Sequence, residues 1–502
     1  MNDYLLEKED KIILDVFGFI ERAREHEVAI SDLLRENSLS KDRLLTILGS
    51  FEERLSGSEL SNYLSVRIDK KTISVDFSDG YYTSRLLNFL MKRSYAFLLL
   101  DEIFSGEYIS LEYFCEKYFC SLKLIRKRVE RIRQLLQSYD LDFNLRYSEP
   151  VLGSEEQIRH FFFCMYWSIY QESEWPFRHI REEQIDGYIR KTCEKLPRIT
   201  YSTILKGKLY LGLTAVRLKQ RKFIRKENEN FDIYSSPLLG EKIFNECFEQ
   251  MMKRDFKVRE KYIGYELQLL YFMFCCHNSY TLKECEMQNI LFQLLSKSLN
   301  PMTMEWIRLA EEHFELQFSV QEYSYFLTNL YYLHCYVSVF HVNNSLIYHW
   351  IIEKEFQSFY PKSYSNVTNF FEKLRANKQF PFKEMLENNL YLVYQYALLL
   401  NEVLTIHQPK LRLLVLSQYS NIQQDSTKKY IKNHSSFAIE YVDGIEENPD
   451  AVLSDFPVDK IMGDEIPLFR ISPVFSQSQS ERLRDFFQRL TFEKRKKMSH
   501  RC

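Results

Sequence analysis

The 502-residue sequence has few glycines and prolines, 13 and 12 respectively. These residues mark turns and interrupt helices, so their scarcity predicts long helices with little turn punctuation. Long apolar runs are missing too, because no stretch approaches the roughly 18 residues that a membrane span requires. We therefore expect no membrane partner. Since the first residues lack a signal-peptide pattern, we also expect a cytoplasmic protein.

The chain also lacks a strong net charge: 67 Lys and Arg residues oppose 69 Asp and Glu residues, which gives a formal charge of −2. Any binding of nucleic acid must therefore come from a local patch rather than from the whole chain. The ten cysteines show no C-x-x-C pair and no spacing with histidine that suits zinc. Several lie in apolar runs, which is typical of reduced core cysteines, and we expect no metal site.

Motifs of catalysis and phosphate binding are likewise missing from the sequence. There is no Gly-rich phosphate loop, no H-E-x-x-H and no G-x-S-x-G. The many carboxylates lie in helical patterns, where a solvated face is their ordinary explanation. We therefore expect that the protein is not an enzyme and needs no cofactor.

The most informative stretch that is present covers residues 109–153. Ser110 can cap a short helix over 111–118, and Ser121 can cap a second helix. From Leu122 the apolar residues step by three and four, which predicts one buried stripe along that second helix. Segments 142–145 and 150–153 can then pair as a hairpin wing. This order is typical of a winged helix-turn-helix.

The opposite face of the second helix is basic. A helix-turn-helix inserts this helix into the major groove, where its first residues reach the bases. A charged helix face is more often simply solvated, but the caps, the preceding helix and the wing favour DNA binding here. Lys123, Arg126 and Lys127 are expected nearest the bases or phosphates, behind the cap Ser121. Three further residues are expected at flanking phosphates: Arg128, Arg131 and Arg133.

An earlier stretch, residues 31–77, repeats this order in weaker form. A second helix capped by Ser40 precedes two alternating segments, 64–68 and 72–77, which predict a hairpin wing. Only Lys41 and Arg43 bring positive charge to the start of that helix. This first unit is therefore expected to make a weaker DNA contact or to support the second unit. The second unit is expected to begin with one helix over residues 81–104.

The remainder of the chain divides into a helical region and a mixed region. Helical patterns follow one another from residue 154 to about residue 404, a length that suits two bundles. After residue 407, short apolar segments alternate with helices and predict a small parallel α/β sheet. The expected domains are two winged helix-turn-helix domains at 1–78 and 79–153, two helical domains at 154–292 and 293–406, and an α/β domain at 407–502.

This domain order resembles the Mga/RofA/AtxA group of bacterial virulence transcription regulators. The resemblance is most specific in SLEYFCEKYFCSLKLIRKRVERIRQLL and in VLGSEEQIRHFF, where Gly153, Glu155 and Ile158-Arg159 form the join. It implies that the bundles are PTS-regulation domains, phosphorylated on histidine by phosphocarrier proteins of the phosphotransferase system. It also implies that the α/β domain is like the EIIB subunit of that system and serves self-association as a homodimer or higher oligomer.

The sequence departs from the wider pattern at the expected phosphorylation sites. An EIIB enzyme carries a cysteine directly after its first strand, whereas this chain has Ser417 there, so we expect that domain to be inactive. In the bundles, a phosphoacceptor must be a neutral, partly exposed imidazole. His277 and His334 are the preferred candidates, with His341 and His179 as the others. A structural role is the alternative for each.

Together the residues and the resemblance predict a transcription regulator, an activator of virulence or sugar-linked genes, that binds double-stranded DNA. Histidine phosphorylation and oligomerisation would modulate it. One alternative is an RNA-binding antiterminator with PTS-regulation domains, although such proteins begin with a β-rich RNA module rather than with helices. Another is an interaction protein in which the winged helices dock other proteins.

Overall fold

The computed structural model describes residues 2–37, 39–171, 174–194, 199–225, 241–277, 279–282, 300–340, 361–387, 389–407, 409–435, 437–458, 466–472 and 476–499. The chain forms two compact units, Met1–Tyr394 and Gln395–Cys502. None of the described helices is long and apolar enough to cross a membrane. The boundary expected between residues 292 and 293 lies outside the described ranges.

The first winged unit combines helices with a three-stranded antiparallel sheet in the order β1-β3-β2. Its elements are α1 (Asn2–Leu5), α2 (Lys8–Glu21), β1 (Glu27–Ala29), α3 (Ile30–Asn37), α4 (Lys41–Leu55), β2 (Leu64–Ile68) and β3 (Thr72–Phe77). Alternation along β3 buries Ile73 and Val75. The predicted hairpin of β2 and β3 is confirmed in its residues, and β1 is an additional strand that the pattern did not predict.

The second winged unit has four helices and a short wing: α5 (Thr83–Met91), α6 (Tyr95–Ser105), α7 (Leu111–Lys117), α8 (Leu122–Gln137), β4 (Asp142–Phe143) and β5 (Val151–Leu152). The expected single helix over 81–104 is wrong, because the chain turns before Ser94. The Ser94 hydroxyl accepts a hydrogen bond from the amide of Phe97 at 3.3 Å and donates one to the carbonyl of Leu5. The wing is confirmed, since β4 and β5 pair antiparallel.

Gly153 directly follows the wing and joins the second unit to the helical region. Its φ of +154° favours glycine, and a Cβ atom there would lie 2.5 Å from Cδ2 of Leu141. Any larger residue would push the wing away from the end of α8, because that leucine is fully buried beneath it. The glycine therefore permits a close approach between the end of the wing and Leu141, which follows α8.

In the helical region, every regular secondary-structure element among the described residues is a helix. They are α9 (Glu155–Ile169), α10 (Glu182–Cys193), α11 (Tyr201–Lys219), α12 (Glu241–Arg254), α13 (Glu260–His277), α14 (Asn300–Phe314), α15 (Val320–Val339), α16 (Pro361–Ala376), α17 (Phe382–Glu387) and α18 (Leu390–Ile406). Helix α9 is central and almost wholly buried. Its Arg159 pairs with Glu155 at 2.9 Å and with Glu266 at 2.6 Å, so the buried charge is neutralised.

The C-terminal unit contains a four-stranded parallel sheet in the order β7-β6-β8-β9. Its elements are β6 (Leu411–Leu416), α19 (Asn421–His434), β7 (Ile439–Val442), β8 (Ala451–Ser454), β9 (Leu468–Arg470) and α20 (Gln477–Ser499). Leu411, Leu413 and Val415 pack on one face of the sheet with Phe486 and Phe487 of α20. The predicted small parallel α/β sheet is confirmed.

Candidate DNA-binding surface

Helices α7 and α8 form the helix-turn-helix of the second unit. The Ser110 hydroxyl accepts from the amide of Tyr113 at 3.1 Å, and the Ser121 hydroxyl accepts from the amide of Leu124 at 3.3 Å. Both caps satisfy amides that a helix start would otherwise leave without a partner. Between the helices, Phe119 adopts a left-handed backbone with φ of 52°. This residue makes the sharp turn that aims the start of α8 outward.

The apolar stripe of α8 faces the protein, as predicted. Ile125, Ile132, Leu135 and Leu136 are fully buried against neighbouring elements that include α6 and α1. Because this face is fixed inside, the opposite face of the first two turns must point away from the core. The helix therefore presents its N-terminal polar residues at the surface.

Three cations stand on that outward face: Lys123, Arg126 and Lys127. All three side chains are exposed, and none pairs with a carboxylate in the described part of the chain. A cation without an internal partner can replace the counterions of a phosphate without breaking any bond within the protein. These residues and the Ser121 cap are named here the "α8 basic end".

The three arginines expected at flanking phosphates have partners inside the protein instead. The Arg128 Nε donates to Glu7 at 2.9 Å, and this side chain is only 14% exposed. An Nη2 of Arg131 donates to the carbonyl of Leu6 at 3.0 Å. Arg133 pairs with Glu130 one turn earlier on its own helix. Arg128 and Arg131 thus hold α8 to the N-terminal segment, whereas Arg133 pairs within α8, and the contact of these three with flanking phosphates stays a prediction.

Acidic residues of the N-terminal segment reach the second helices of both winged units. We call residues 7–10, Glu-Lys-Glu-Asp, the "N-terminal acidic segment". Glu7 pairs with Arg128 of α8, whereas Glu9 pairs with Arg43 of α4 at 2.6 Å. Asp10, which is buried, pairs with Arg54 of α4 at 2.7 Å. One short segment thus neutralises arginines on two helices that are far apart in sequence.

Lys41 and Arg43, the two predicted DNA-binding residues of the first unit, both have partners within the protein. Arg43 carries the ion pair with Glu9, and the Lys41 ammonium donates to the carbonyl of Lys70 in the β2–β3 turn at 3.2 Å. The helix start itself is capped by Ser40, whose hydroxyl accepts from the amide of Arg43 at 3.4 Å. Its geometry therefore matches that of the second unit, while its two cations, although exposed, already have partners within the protein.

Two further exposed sites of the second winged unit, the turn before α8 and the wing loop, were not predicted from the sequence. The ring of Phe119 is 94% exposed at the turn, and Tyr147 is 55% exposed in the wing loop. Arg146, next to Tyr147, is also exposed and has no ion pair with another described residue. The signals that could have found them are an aromatic residue in a polar turn and a cation in the loop of the predicted wing.

The candidate phosphoacceptor histidines occupy different environments. His334 is fully buried, with Nδ1 2.8 Å from the Thr303 hydroxyl, and burial lowers its pKa to about 3. It is neutral, but a donor protein cannot reach it in this conformation. His277 lies against the rings of Phe163 and Tyr336 at the end of α13. Burial, and then the nearby Lys206 and His160, hold its pKa well below the usual range.

His179 is more exposed than the two preferred candidates, His277 and His334, and exposure is a requirement for a phosphoacceptor. Its side chain is 61% exposed, and Nε2 lies 3.3 Å from a carboxylate oxygen of Glu107. His341 lies outside the described residues. His160, which is not a sequence candidate, is fully buried on α9 and stacks on Phe340 at 4.2 Å. Burial lowers its pKa to about 3, and it is best explained as a core residue.

The loop after β6 shows why Ser417 differs from a reactive cysteine. The Ser417 hydroxyl donates to Asp455 at 2.6 Å, and the other oxygen of that carboxylate accepts from the amide of Gln418 at 2.8 Å. A carboxylate from the neighbouring strand end thus takes the hydrogen bonds that an anion would receive at this loop. An incoming phosphate would meet negative charge there.

Comparison with known proteins bears on the second winged unit. Residues 80–166 match the Mga helix-turn-helix domain, a span from just before α5 into α9. The capsule synthesis positive regulator AcpA of Bacillus anthracis is 27% identical over 138 residues. That match covers 26% of this chain and 27% of the relative's length. The predicted resemblance to Mga/AtxA-like regulators is thereby confirmed, and its match to the Mga helix-turn-helix domain lies in the second winged unit.

Proposed function

We propose that the protein is a DNA-binding transcription regulator whose principal DNA contact is the α8 basic end. The observation that carries the proposal is the set of three exposed cations at the capped start of α8, within an Mga helix-turn-helix domain. Phosphate contacts supply most of the affinity of such proteins, and residues at the start of the second helix read the bases. The cap also leaves the positive end of the helix dipole directed at the DNA.

Two neighbours extend this contact. Phe119 projects its ring beside the helix start, where an apolar group can touch the methyl group of thymine in the major groove. Arg146 in the wing loop can reach a phosphate or the adjacent minor groove. The proposed interface therefore has a charged centre, one apolar contact and a cationic wing.

The test is a comparison of two double variants in mobility-shift titrations, using duplexes enriched from a random pool by the unmodified protein. Arg126→Ala with Lys127→Ala removes two charges from the α8 basic end. It should weaken binding by about 1–3 kcal/mol and lower the slope of log affinity against log salt by about 2. The control, Lys41→Ala with Arg43→Ala, removes two charges from the first turn of the corresponding helix α4 and should have a much smaller effect.

Equal effects of the two pairs would show that the first unit reads DNA as strongly as the second. Unchanged affinity in the α8 pair, with the fold intact by circular dichroism, would refute the assignment of the reading helix. If the unmodified protein enriches no duplex from the pool, the winged units serve as docking modules, which is the alternative that the sequence leaves open.

The sign of regulation is proposed as activation. The name of the similar Bacillus anthracis protein describes a positive regulator of capsule synthesis, and the resemblance is to virulence regulators. Virulence or sugar-linked genes are the proposed targets. Comparison of transcripts in cells with and without the protein tests this, since target transcripts should fall in its absence.

We also propose that phosphorylation of a bundle histidine modulates the activity of the regulator. A phosphate adds about two negative charges, enough to reorganise contacts at a bundle surface. Among the described candidates His179 is the most accessible, His277 is partly buried, and the fully buried His334 would need the bundle to open first. Incubation with phosphocarrier proteins should label the chain, and His179→Ala should remove more label than His277→Ala or His334→Ala. A label that survives all three replacements would point to His341 or to a residue outside this set.

Self-association as a homodimer or higher oligomer is proposed through the α/β unit, by the resemblance to EIIB. Sedimentation of the full chain should show more than one protomer. Deletion of residues 408–502 should lower that number. A deleted chain that associates as fully as the parent would remove the α/β unit from this role.

A further inference from the structure

A broad cleft lies between the root of the wing and the first helical bundle. Its volume is about 1330 Å³. One side is formed by the end of β5, Gly153 and the first turn of α9, and the other by the segments that follow α11 and α12. We call it the "wing-root cleft". Its walls belong to the first compact unit, and no role has been assigned to it above.

The wing-root cleft is rich in cations. Six line it: Arg217, Arg221, Lys222, Arg225, Lys257 and Arg259. Two of them are neutralised, because Arg217 pairs with Glu155 at 2.6 Å and Lys222 pairs with Glu149. The other four are exposed and have no carboxylate partner in the described part of the chain. Four carboxylates also line the cleft, those of Asp140, Glu149, Glu155 and Glu156, so its lining has an excess of two positive charges.

These cations are close enough to act on one another. Burial, and then the charge of Arg225, lower the pKa of Lys222. An Nη1 of Arg221 donates to the carbonyl of Lys257 at 3.2 Å, which ties the segment after α11 to the segment after α12. Both of these residues have left-handed backbones, with φ of 62° and 50°. The hydrogen bond thus links the two loops, and an anion bound between them would reduce the repulsion among the cations that they carry.

The position of the cleft favours a small anion over DNA. Asp140, just beyond the C-terminal end of α8, lines it. Helix α8 has 16 residues, so the cleft lies about 24 Å along the helix from the capped end that faces the groove. Pockets for small molecules usually measure about 300–1,000 Å³, and this cleft, at about 1330 Å³, is larger and can admit such a molecule. Arginine forks match the oxygens of a phosphate group especially well.

We propose that the wing-root cleft binds a small phosphate-bearing anion, held by Arg221, Arg225, Lys257 and Arg259. The anion would bridge the wing root and the bundle, since residues of both line the cleft. This places an effector site next to the reading domain, separate from the histidines and from the α8 basic end. Binding of the anion does not depend on the proposed DNA contact.

The experiment is an isothermal titration of the full chain with inorganic pyrophosphate at constant ionic strength. The unmodified protein should bind it saturably, and its thermal unfolding temperature should rise in pyrophosphate but not in chloride of equal ionic strength. Arg225→Ala with Arg259→Ala should weaken binding at least tenfold. Both side chains are exposed, so the fold should be unaffected.

The matched control is Arg190→Ala with Lys191→Ala on α10, which removes two exposed charges of the same bundle outside the cleft. It should bind pyrophosphate like the unmodified protein. An equal loss in both pairs, or the absence of saturable heat and of thermal stabilisation, would overturn the proposal. Loss of duplex affinity in the cleft pair without any binding of pyrophosphate would assign these cations to the DNA backbone instead.

Discussion

The two winged units share the same order of elements but differ in whether the basic residues at the start of the second helix are paired within the protein. In the first, Arg43 and Lys41 are bound to Glu9 and to the turn of the wing. In the second, Lys123, Arg126 and Lys127 face solvent without internal partners among the described residues. The two helix starts therefore differ in how many of their cations are already paired within the protein, and the proposed DNA contact depends on this difference.

The comparison also shows that the two units are not independent. The N-terminal acidic segment pairs with arginines on both α4 and α8. In addition, Phe51 of α4 lies 6.1 Å from Phe89 of α5, centroid to centroid, so an aromatic contact crosses between the units. The first unit therefore holds the second in position, which agrees with a supporting role.

The largest effect is expected from removal of that aromatic contact. Phe51 is fully buried and contacts both Phe17 and Phe89, so Phe51→Ala should lower the free energy of unfolding by about 3–5 kcal/mol. Because the contact crosses the units, duplex affinity should fall together with stability. Thermal unfolding by circular dichroism, alongside mobility shifts, would measure both. If the variant unfolds only in the first unit and keeps full DNA affinity, the second unit does not depend on the first, and the expectation is wrong.

An intermediate effect is expected from the N-terminal acidic segment. Glu7→Gln leaves the largely buried guanidinium of Arg128 without its charged partner and should cost about 1–2 kcal/mol. Glu9→Gln is the matched change in the first unit. Since Arg43 and Glu9 are each about half exposed, it should cost no more than about 0.5 kcal/mol. Urea unfolding at low and high salt would compare them, and equal costs would contradict the assigned difference in burial.

The smallest effect is expected at the turn of the helix-turn-helix. Phe119→Gly removes an exposed ring from a left-handed position that glycine adopts without strain, so stability should rise by up to about 1 kcal/mol. Phe119→Ala keeps the backbone strain and removes the same ring. If the ring touches DNA, both variants should lose affinity equally, by less than tenfold. A loss in only the glycine variant would assign the effect to the loosened turn.

Local patterns predicted much of the fold. The bounds of β2 and β3 were predicted correctly from the alternation of apolar and polar residues, because one face of this hairpin is buried and its turn is short. Strand β1 was missed because three residues carry no alternation, and its partner β3 lies more than 40 positions later. Residues 81–104 were predicted as one helix because apolar residues continue past the break between α5 and α6. At that break Ser94 caps α6, and its hydroxyl donates to the carbonyl of Leu5, which is distant in sequence.

The candidate DNA contact was predicted only in part, for a similar reason. Sequence showed six cations on α8, but Arg128 is neutralised by Glu7, 121 positions away in the chain. Likewise the sequence favoured His334 over His179 as a phosphoacceptor, because the burial of His334 depends on its packing against α14. Caps, stripes and turns are local properties, whereas the availability of a charge or an imidazole depends on contacts that the chain makes after folding.

The N-terminal acidic segment has a consequence for exchanging parts between regulators. A hybrid protein that receives only residues 79–166 of this chain would place Arg128 opposite a foreign N-terminus. The transplanted helix α8 would then carry an extra positive charge and lose an anchor. Hybrids that carry residues 2–10 together with the helix-turn-helix should retain its DNA preference more faithfully. The exchangeable part of this reader is therefore discontinuous in sequence.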